Sequence, residues 1–336
     1  MLSKENQKRN NNINFLKGIA CMGVVFIHIK FPGVMGEVVS KIFQFATPIF
    51  FMIAGYYAFR CDEKKIKKRL IKILKIFLGA ILCFFIYNFL LQAKNGYGYL
   101  WIRNILGYKK ILKAIIFCTI DFAYPLWYLI AMIESYLLWM IVVKKNKEDI
   151  FVKIMPTLFV ALIILDGYCE TNNYEWFWKI NFLTKSLSYF LMGYYIRERQ
   201  DIGKPDIKEK NLMITGILGV LIALLPTLLD TKIDFSMIGL VIYSISLFSL
   251  TLGVPQKQNP GFIEYIGDKL SLNIYIFHVL IADIANRCCR SIFGLNVESE
   301  LYKWSIPLIT LILTIIWAYV IDCLKKMKES KENKYA

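Results

Sequence analysis

Residues 60–92 read RCDEKKIKKRLIKILKIFLGAILCFFIYNFLLQ. A run of lysine and arginine opens the stretch, and from Ile73 onward nearly every side chain is apolar for the length that a helix needs to cross about 30 Å of hydrocarbon. A helix is the form expected there, because it satisfies its own backbone polar groups where lipid offers no partners. Working outward, the same pattern recurs along the chain. Ten candidate spans lie near residues 13–29, 38–59, 73–92, 126–143, 150–166, 182–196, 211–229, 235–253, 271–290 and 301–324, the first and sixth of them short. The fold class expected is all-α, a polytopic membrane protein with about ten transmembrane helices. It forms one domain over residues 1–336, and its Lys/Glu-rich end, 325–336, is expected to be a disordered cytoplasmic tail.

Composition agrees. Of 336 residues, 57% are hydrophobic and 20% charged, and the mean hydropathy is +0.49. A soluble domain averages roughly 45–50% apolar and about 25% charged, so a water-soluble globule is excluded. The formal charge of +16 would raise nucleic-acid binding in a soluble protein, but here the basic residues sit in short clusters between apolar spans. No nucleic-acid partner is expected. The N-terminal dozen is polar and Asn-rich and no small-residue cleavage site follows the first apolar run, so that span is expected to stay in the mature chain. Abundant Asn and Lys point to an AT-rich bacterial source, and hence to a bacterial plasma membrane.

Orientation follows from the connecting segments. Lys4, Lys8 and Arg9 precede the first span; Arg60, Lys64, Lys65, Lys67, Lys68, Arg69 and Lys72 follow the second; Lys144, Lys145 and Lys147 follow the fourth. Arg197, Arg199, Lys204, Lys208 and Lys210 come after the sixth, Lys257 and Lys269 after the eighth, and Lys325, Lys326, Lys328, Lys331 and Lys334 after the tenth. All of these segments fall on one side. The other side has a thinner set that includes Lys30, Lys94, Arg103, Lys109, Lys110 and Lys113. By the positive-inside rule both termini are cytoplasmic.

Eight cysteines form no C-x-x-C pair, and Cys21, Cys83 and Cys323 fall within or beside apolar spans, so they read as packing residues. Adjacent Cys288 and Cys289 lack the partners a tetrahedral metal site requires, and no metal is expected. In the longest outer segment, 93–125, residues 114–120 are apolar but too short to cross, which suits a re-entrant or interfacial piece. Aromatic residues crowd its end at Tyr124, Trp127 and Tyr128, and the next outer loop at Trp176, Phe177 and Trp178. They read as an interfacial belt, with a sugar-stacking platform at a cavity mouth as the alternative.

The ionisable residues within spans carry the most information, because a charge near the bilayer centre is costly unless it faces protein or water. They are Lys17, His28, Glu134, Lys185, His278 and Asp283. His28 follows Lys17 by eleven positions, about three helical turns, which returns it to within about 20° of the same face. The two are about 16 Å apart along the axis, so they cannot bond each other but can line two levels of one cavity. Ser271, Asn273, His278 and Asp283 share a later span, where His278 needs a buried partner. No other histidine exists in the chain. An imidazole can take a proton from a hydroxyl during acyl transfer when a neighbour fixes its tautomer. The chain has no G-x-S-x-G elbow, H-E-x-x-H, P-loop or dinucleotide glycine fingerprint.

Five pieces in order carry a resemblance. They are Asn14-Phe15-Leu16-Lys17-Gly18 running to Ile27-His28; Pro48-Ile49-Phe50-Phe51 to Gly55-Tyr56; Leu126-Trp127-Tyr128-Leu129; Tyr189-Phe190-Leu191-Met192-Gly193-Tyr194; and Ile266-Gly267 through Ser271, Ile274, Tyr275 and His278. Together they cover nearly the whole chain, which resembles the acyltransferase 3 family of integral membrane proteins. That resemblance implies a ten-helix acyltransferase taking an acyl group, usually acetyl from cytoplasmic acetyl-CoA, to a hydroxyl, often on an extracytoplasmic glycan. His28 matches the family's essential histidine, and Lys17 the basic residue, frequently arginine, placed eleven positions earlier. Lysine keeps the charge but not the bidentate fork of arginine. Asn14 stands where many relatives carry aspartate.

The expected site therefore has His28 and Lys17 as catalytic residues, with Asn14, Trp127, Tyr128, Asn273, Tyr275 and His278 toward the acceptor or donor. Arg60, Lys64, Lys68 and Arg69 are candidates for attracting the phosphates of coenzyme A, against a plain topological and lipid-contact role. A second reading is a substrate-binding or transport module, since a similar membrane domain is fused to a racemase in some serine-handling vancomycin-resistance proteins.

Overall fold

The computed structural model describes residues 10–179, 181–203, 207–256, 258–292, 294 and 296–335. Lys4, Lys8, Arg9, Lys204 and Lys257 lie outside the described residues, as do the side chains of Trp176, Phe177, Lys331 and Lys334. Among the described residues the chain is helical and contains no strand.

In chain order the helices are α1 (Asn11–His28), α2 (Gly33–Phe43), α3 (Ala46–Ala58), α4 (Glu63–Lys94), α5 (Gly98–Ile105), α6 (Tyr108–Phe117) and α7 (Trp127–Lys144). They continue as α8 (Glu148–Thr171), α9 (Ser188–Asp201), α10 (Glu209–Leu229), α11 (Ser236–Gly253), α12 (Phe262–Tyr265), α13 (Ser271–Ser291) and α14 (Glu300–Tyr335). Eight stretches of the described residues are helical, long and apolar enough to cross a membrane, so the chain is a multi-pass membrane protein. Two of the ten spans expected from sequence, the first and the sixth, fall outside that set. Both are helical nonetheless, as α1 and α9. Polar residues lower their apolarity, Asn11, Asn12, Asn14 and Lys17 in α1 and Arg197, Glu198 and Arg199 in α9. Both also bury much of their surface in protein, where lipid-like composition is not required. At the other end of the chain α14 continues as helix to Tyr335, through the tail read from sequence as disordered. No glycine or proline interrupts it after Pro307, and Lys326 pairs one turn back with Asp322 at 2.7 Å.

Contacts divide the chain into two compact units, neither continuous in sequence. The first comprises the described residues within 1–46, 208–214 and 246–336, the second those within 47–207 and 215–245. In the first unit, the Asn10 side chain caps α1 by accepting from the Asn12 and Ile13 amides. Asn12 Nδ2 in turn donates to the Val254 carbonyl at 2.8 Å, just beyond the end of α11. α1 runs directly against α12 and the π-helical turn Ile266–Leu270 that leads into α13. A methyl group on Gly267 would sit 1.7 Å from the Asn14 carbonyl oxygen, and one on Gly18 would sit 2.4 Å from that of Ile263. Only hydrogen fits at such backbone approaches.

The second unit uses the same device. Gly55 of α3 lies against the Phe190 carbonyl, and Gly193 of α9 lies against that of Met52. Gly219 and Gly239 bring α10 and α11 together in the same way. Around the α3/α9 crossing, Phe59, Tyr194, Trp139, Phe190 and Tyr136 form a chain of edge-to-face rings with centroids 4.9–5.7 Å apart. α6 ends at Cys118 in the left-handed region, φ 55°, well short of a crossing, as residues 114–120 suggested.

Candidate active site

α1 ends on His28, and the chain then turns through Lys30, Phe31, Pro32 and Gly33 into α2. Gly33 takes φ 65°, which glycine adopts without strain. Phe26 packs on Phe31 and Phe43, fixing the hairpin that holds the last turn of α1. On α13, in the same unit, His278 is fully buried. The two rings meet with centroids 5.0 Å apart and planes 34° from parallel. Histidines from opposite ends of the sequence thus form one pair.

The members differ. His28, the last residue of α1, is exposed as a residue, and its ring lies against the buried one. His278 Nδ1 lies 2.8 Å from the Tyr275 carbonyl oxygen. A carbonyl only accepts, so Nδ1 carries the hydrogen and Nε2 the lone pair. Nε2 is buried without a hydrogen-bond partner among the described residues. A buried polar atom left in that state is costly unless something else, a proton donor or a substrate group, completes it. The partner expected for His278 is therefore the backbone one turn earlier on its own helix. Asp283 is paired instead with Arg287 at 2.8 Å.

Of the remaining expected residues, Asn14, Lys17, Asn273 and Tyr275 belong to the first unit with the histidines. Tyr275 is buried, its ring edge-on to His278 at 6.2 Å. Lys17 is half-buried and shares the arc of α1 that carries Cys21 and Val24, as the eleven-residue spacing predicts. Cys21, Val24 and Val25 between the two levels are packed, at 0%, 2% and 0% exposure. Asn14 contributes its carbonyl to the Gly267 crossing.

Trp127, Tyr128 and the basic stretch belong to the second unit. Trp127 and Tyr128 are 7% and 9% exposed and pack on Phe51, with Tyr128 at 4.8 Å. Their rings thus serve core packing rather than the interfacial belt, because α7 begins at Trp127 and turns both inward. The basic stretch is not uniform. Arg60 is paired with Asp201 at 2.7 Å, Lys64 and Lys68 are exposed, and Arg69 is half-buried and acts on the buried Tyr136 hydroxyl. Sequence reading counted Arg197 only as a topological charge. It donates to the Tyr56 hydroxyl at 3.2 Å and lies over that ring, while Tyr56 donates to Gln200 at 3.0 Å. The signal was its place directly after the Gly-Tyr motif of α9. Asp166, buried in α8 with Lys185 and Lys179 as its nearby cations, was likewise missed because it stood at the edge of its span. Glu134 accepts from Cys118. Among the described residues no three His, Cys, Asp or Glu side chains converge as a metal ion needs.

The profile of a family described as an acyltransferase domain matches residues 10–323. Comparison with curated proteins and with solved structures returned no match.

Proposed function

We propose that this chain, which belongs to the acyltransferase 3 family, moves an acyl group from acyl-CoA to a hydroxyl of a cell-surface glycan or related acceptor. Acetyl-CoA is the donor this reading takes first. The single observation that carries it is the pairing of His28 and His278, ring against ring, in a chain with no other histidine. His28, the more exposed residue of the pair, acts as general base. It takes the acceptor's hydroxyl proton as that oxygen attacks the thioester carbonyl. The carbon–sulfur bond breaks, and coenzyme A leaves as a thiolate that is then protonated. His278, its tautomer set by the Tyr275 carbonyl, orients the His28 ring or the substrate beside it. Lys17 supplies positive charge farther along the same helix face. By the charge pattern of the loops, the basic stretch and both termini face the cytoplasm.

The test uses purified protein in detergent with labelled acetyl-CoA and a panel of glycans. Label should move to an acceptor and free coenzyme A should appear. A transport module would instead leave the thioester intact and need a sealed vesicle, and that result would remove the enzymatic reading. Label held on the protein when acceptor is withheld, and lost in His28→Ala, would place the acyl group on His28 as an intermediate.

Coenzyme A is highly anionic, and Lys64, Lys68 and Arg69 are the cations proposed to attract it. K64Q/K68Q should raise the KM for acetyl-CoA by about three- to tenfold with kcat retained. R69Q should do so more strongly, because Arg69 is half-buried against Tyr136. Initial rates against acetyl-CoA concentration check this; a change in protein abundance alone would return these residues to a topological role.

A further inference from the structure

The connection from α4 to α7 carries charges that neither orientation nor acyl transfer uses. Arg103, Lys109, Lys110 and Lys113 lie beyond the far end of α4, opposite its basic start, where the positive-inside rule predicts few cations. Among the described residues one carboxylate is paired with them: Asp121 pairs with Lys110 and lies 3.5 Å from Lys113. Arg103 and Lys109 are exposed, and with Lys110 and Tyr108 they line a shallow cavity of about 450 Å³.

Lys110 lines a second cavity as well. This one, about 570 Å³, lies between Leu78, Leu82 and Phe85 of α4, Ile111 and Ile115 of α6, and Phe122. Its size falls within the roughly 300–1,000 Å³ of small-molecule sites. The walls are hydrocarbon except for the Lys110–Asp121 pair and Thr119, whose buried hydroxyl lacks a hydrogen-bond partner among the described residues. Side chains around it, Leu106 at 65% exposure and Ile115 at 60%, suit contact with acyl chains and not with water. Lys110 is therefore common to a hydrocarbon slot and to a shallow cavity with an excess of positive charge.

We propose that these two cavities, which share Lys110, together bind one anionic phospholipid, an acyl chain in the slot between α4 and α6 and the phosphate at Arg103, Lys109 and Lys110. The slot requires a tail, which a soluble anion lacks. The uncompensated cations require net negative charge, which a zwitterionic headgroup lacks.

The test offers the full-length protein in detergent equal amounts of phosphatidylglycerol and phosphatidylcholine, and counts retained lipid by native mass spectrometry. Phosphatidylglycerol should be retained about tenfold over phosphatidylcholine. R103Q/K109Q, which alters only exposed side chains, should bring the ratio near parity. Ile115→Trp should fill the slot and lower retention of both lipids, and excess inorganic phosphate should leave phosphatidylglycerol in place. Equal retention by the native protein overturns the proposal, as does a preference that R103Q/K109Q leaves intact. Displacement by phosphate alone would make this a soluble-anion site and overturn it too.

Discussion

His28→Ala is expected to abolish acyl transfer while the protein still folds and elutes from size exclusion as the native chain does. Removing a positioned general base costs typically about 10²–10⁴ in rate, enough to take a slow membrane transferase below detection. Folding should survive, because His28 is the terminal residue of α1 and the hairpin is held by Phe26, Phe31 and Phe43. His278→Ala should lower the rate less, since that ring is buried and acts through its neighbour. The double variant should then be no worse than His28→Ala alone, as residues acting in one unit are non-additive. Labelled acetyl transfer on the three purified variants measures this. An active His28→Ala protein would sink the mechanism, and a larger loss at His278 than at His28 would exchange their roles.

Much of this site was legible in the sequence, and the reason it was incomplete is physical. The eleven-residue spacing puts Lys17 and His28 on one arc of α1, because helical geometry is local and fixed. The meeting of His28 with His278 depends on how α1 and α13 pack, and no periodicity within either helix reports that. The partner of His278 escaped a search for side chains because it is a backbone carbonyl. Asp283 lies five positions on, about 140° around the helix, and faces away. Hydropathy found the spans whose surfaces meet lipid. It was weakest at α1 and α9, where protein contact removes the need for an apolar surface. The tail after Lys325 was read as disordered from its charge density; the backbone there continues α14 to Tyr335, a form that Lys and Glu spaced along a helix can also sustain.

The glycines of the motifs make the second large prediction. Gly193→Val is expected to prevent accumulation of folded protein, and Gly193→Ala to lower its thermal stability in detergent markedly. A Cβ at Gly193 would stand 1.9 Å from the Met52 carbonyl oxygen, and its reciprocal at Gly55 would stand 1.8 Å from that of Phe190. Ordinary overpacking costs about 1–3 kcal/mol when side chains can give way. Here the opposing atoms are backbone, which no rotamer change relieves, so α3 and α9 must separate and loosen the ring cluster of Tyr194, Phe190 and Trp139. The expected loss for alanine is therefore at the upper end of that range, about 3 kcal/mol. Gly79 of α4 is the matched control. Nothing lies within 4 Å of a Cβ placed there, so Gly79→Ala should be neutral or stabilising by up to about 1 kcal/mol through helix propensity. Melting curves followed by fluorescence-detected size exclusion separate the two cases. Equal melting temperatures for Gly193→Ala and Gly79→Ala would mean that the α3/α9 crossing is not as close as these distances state.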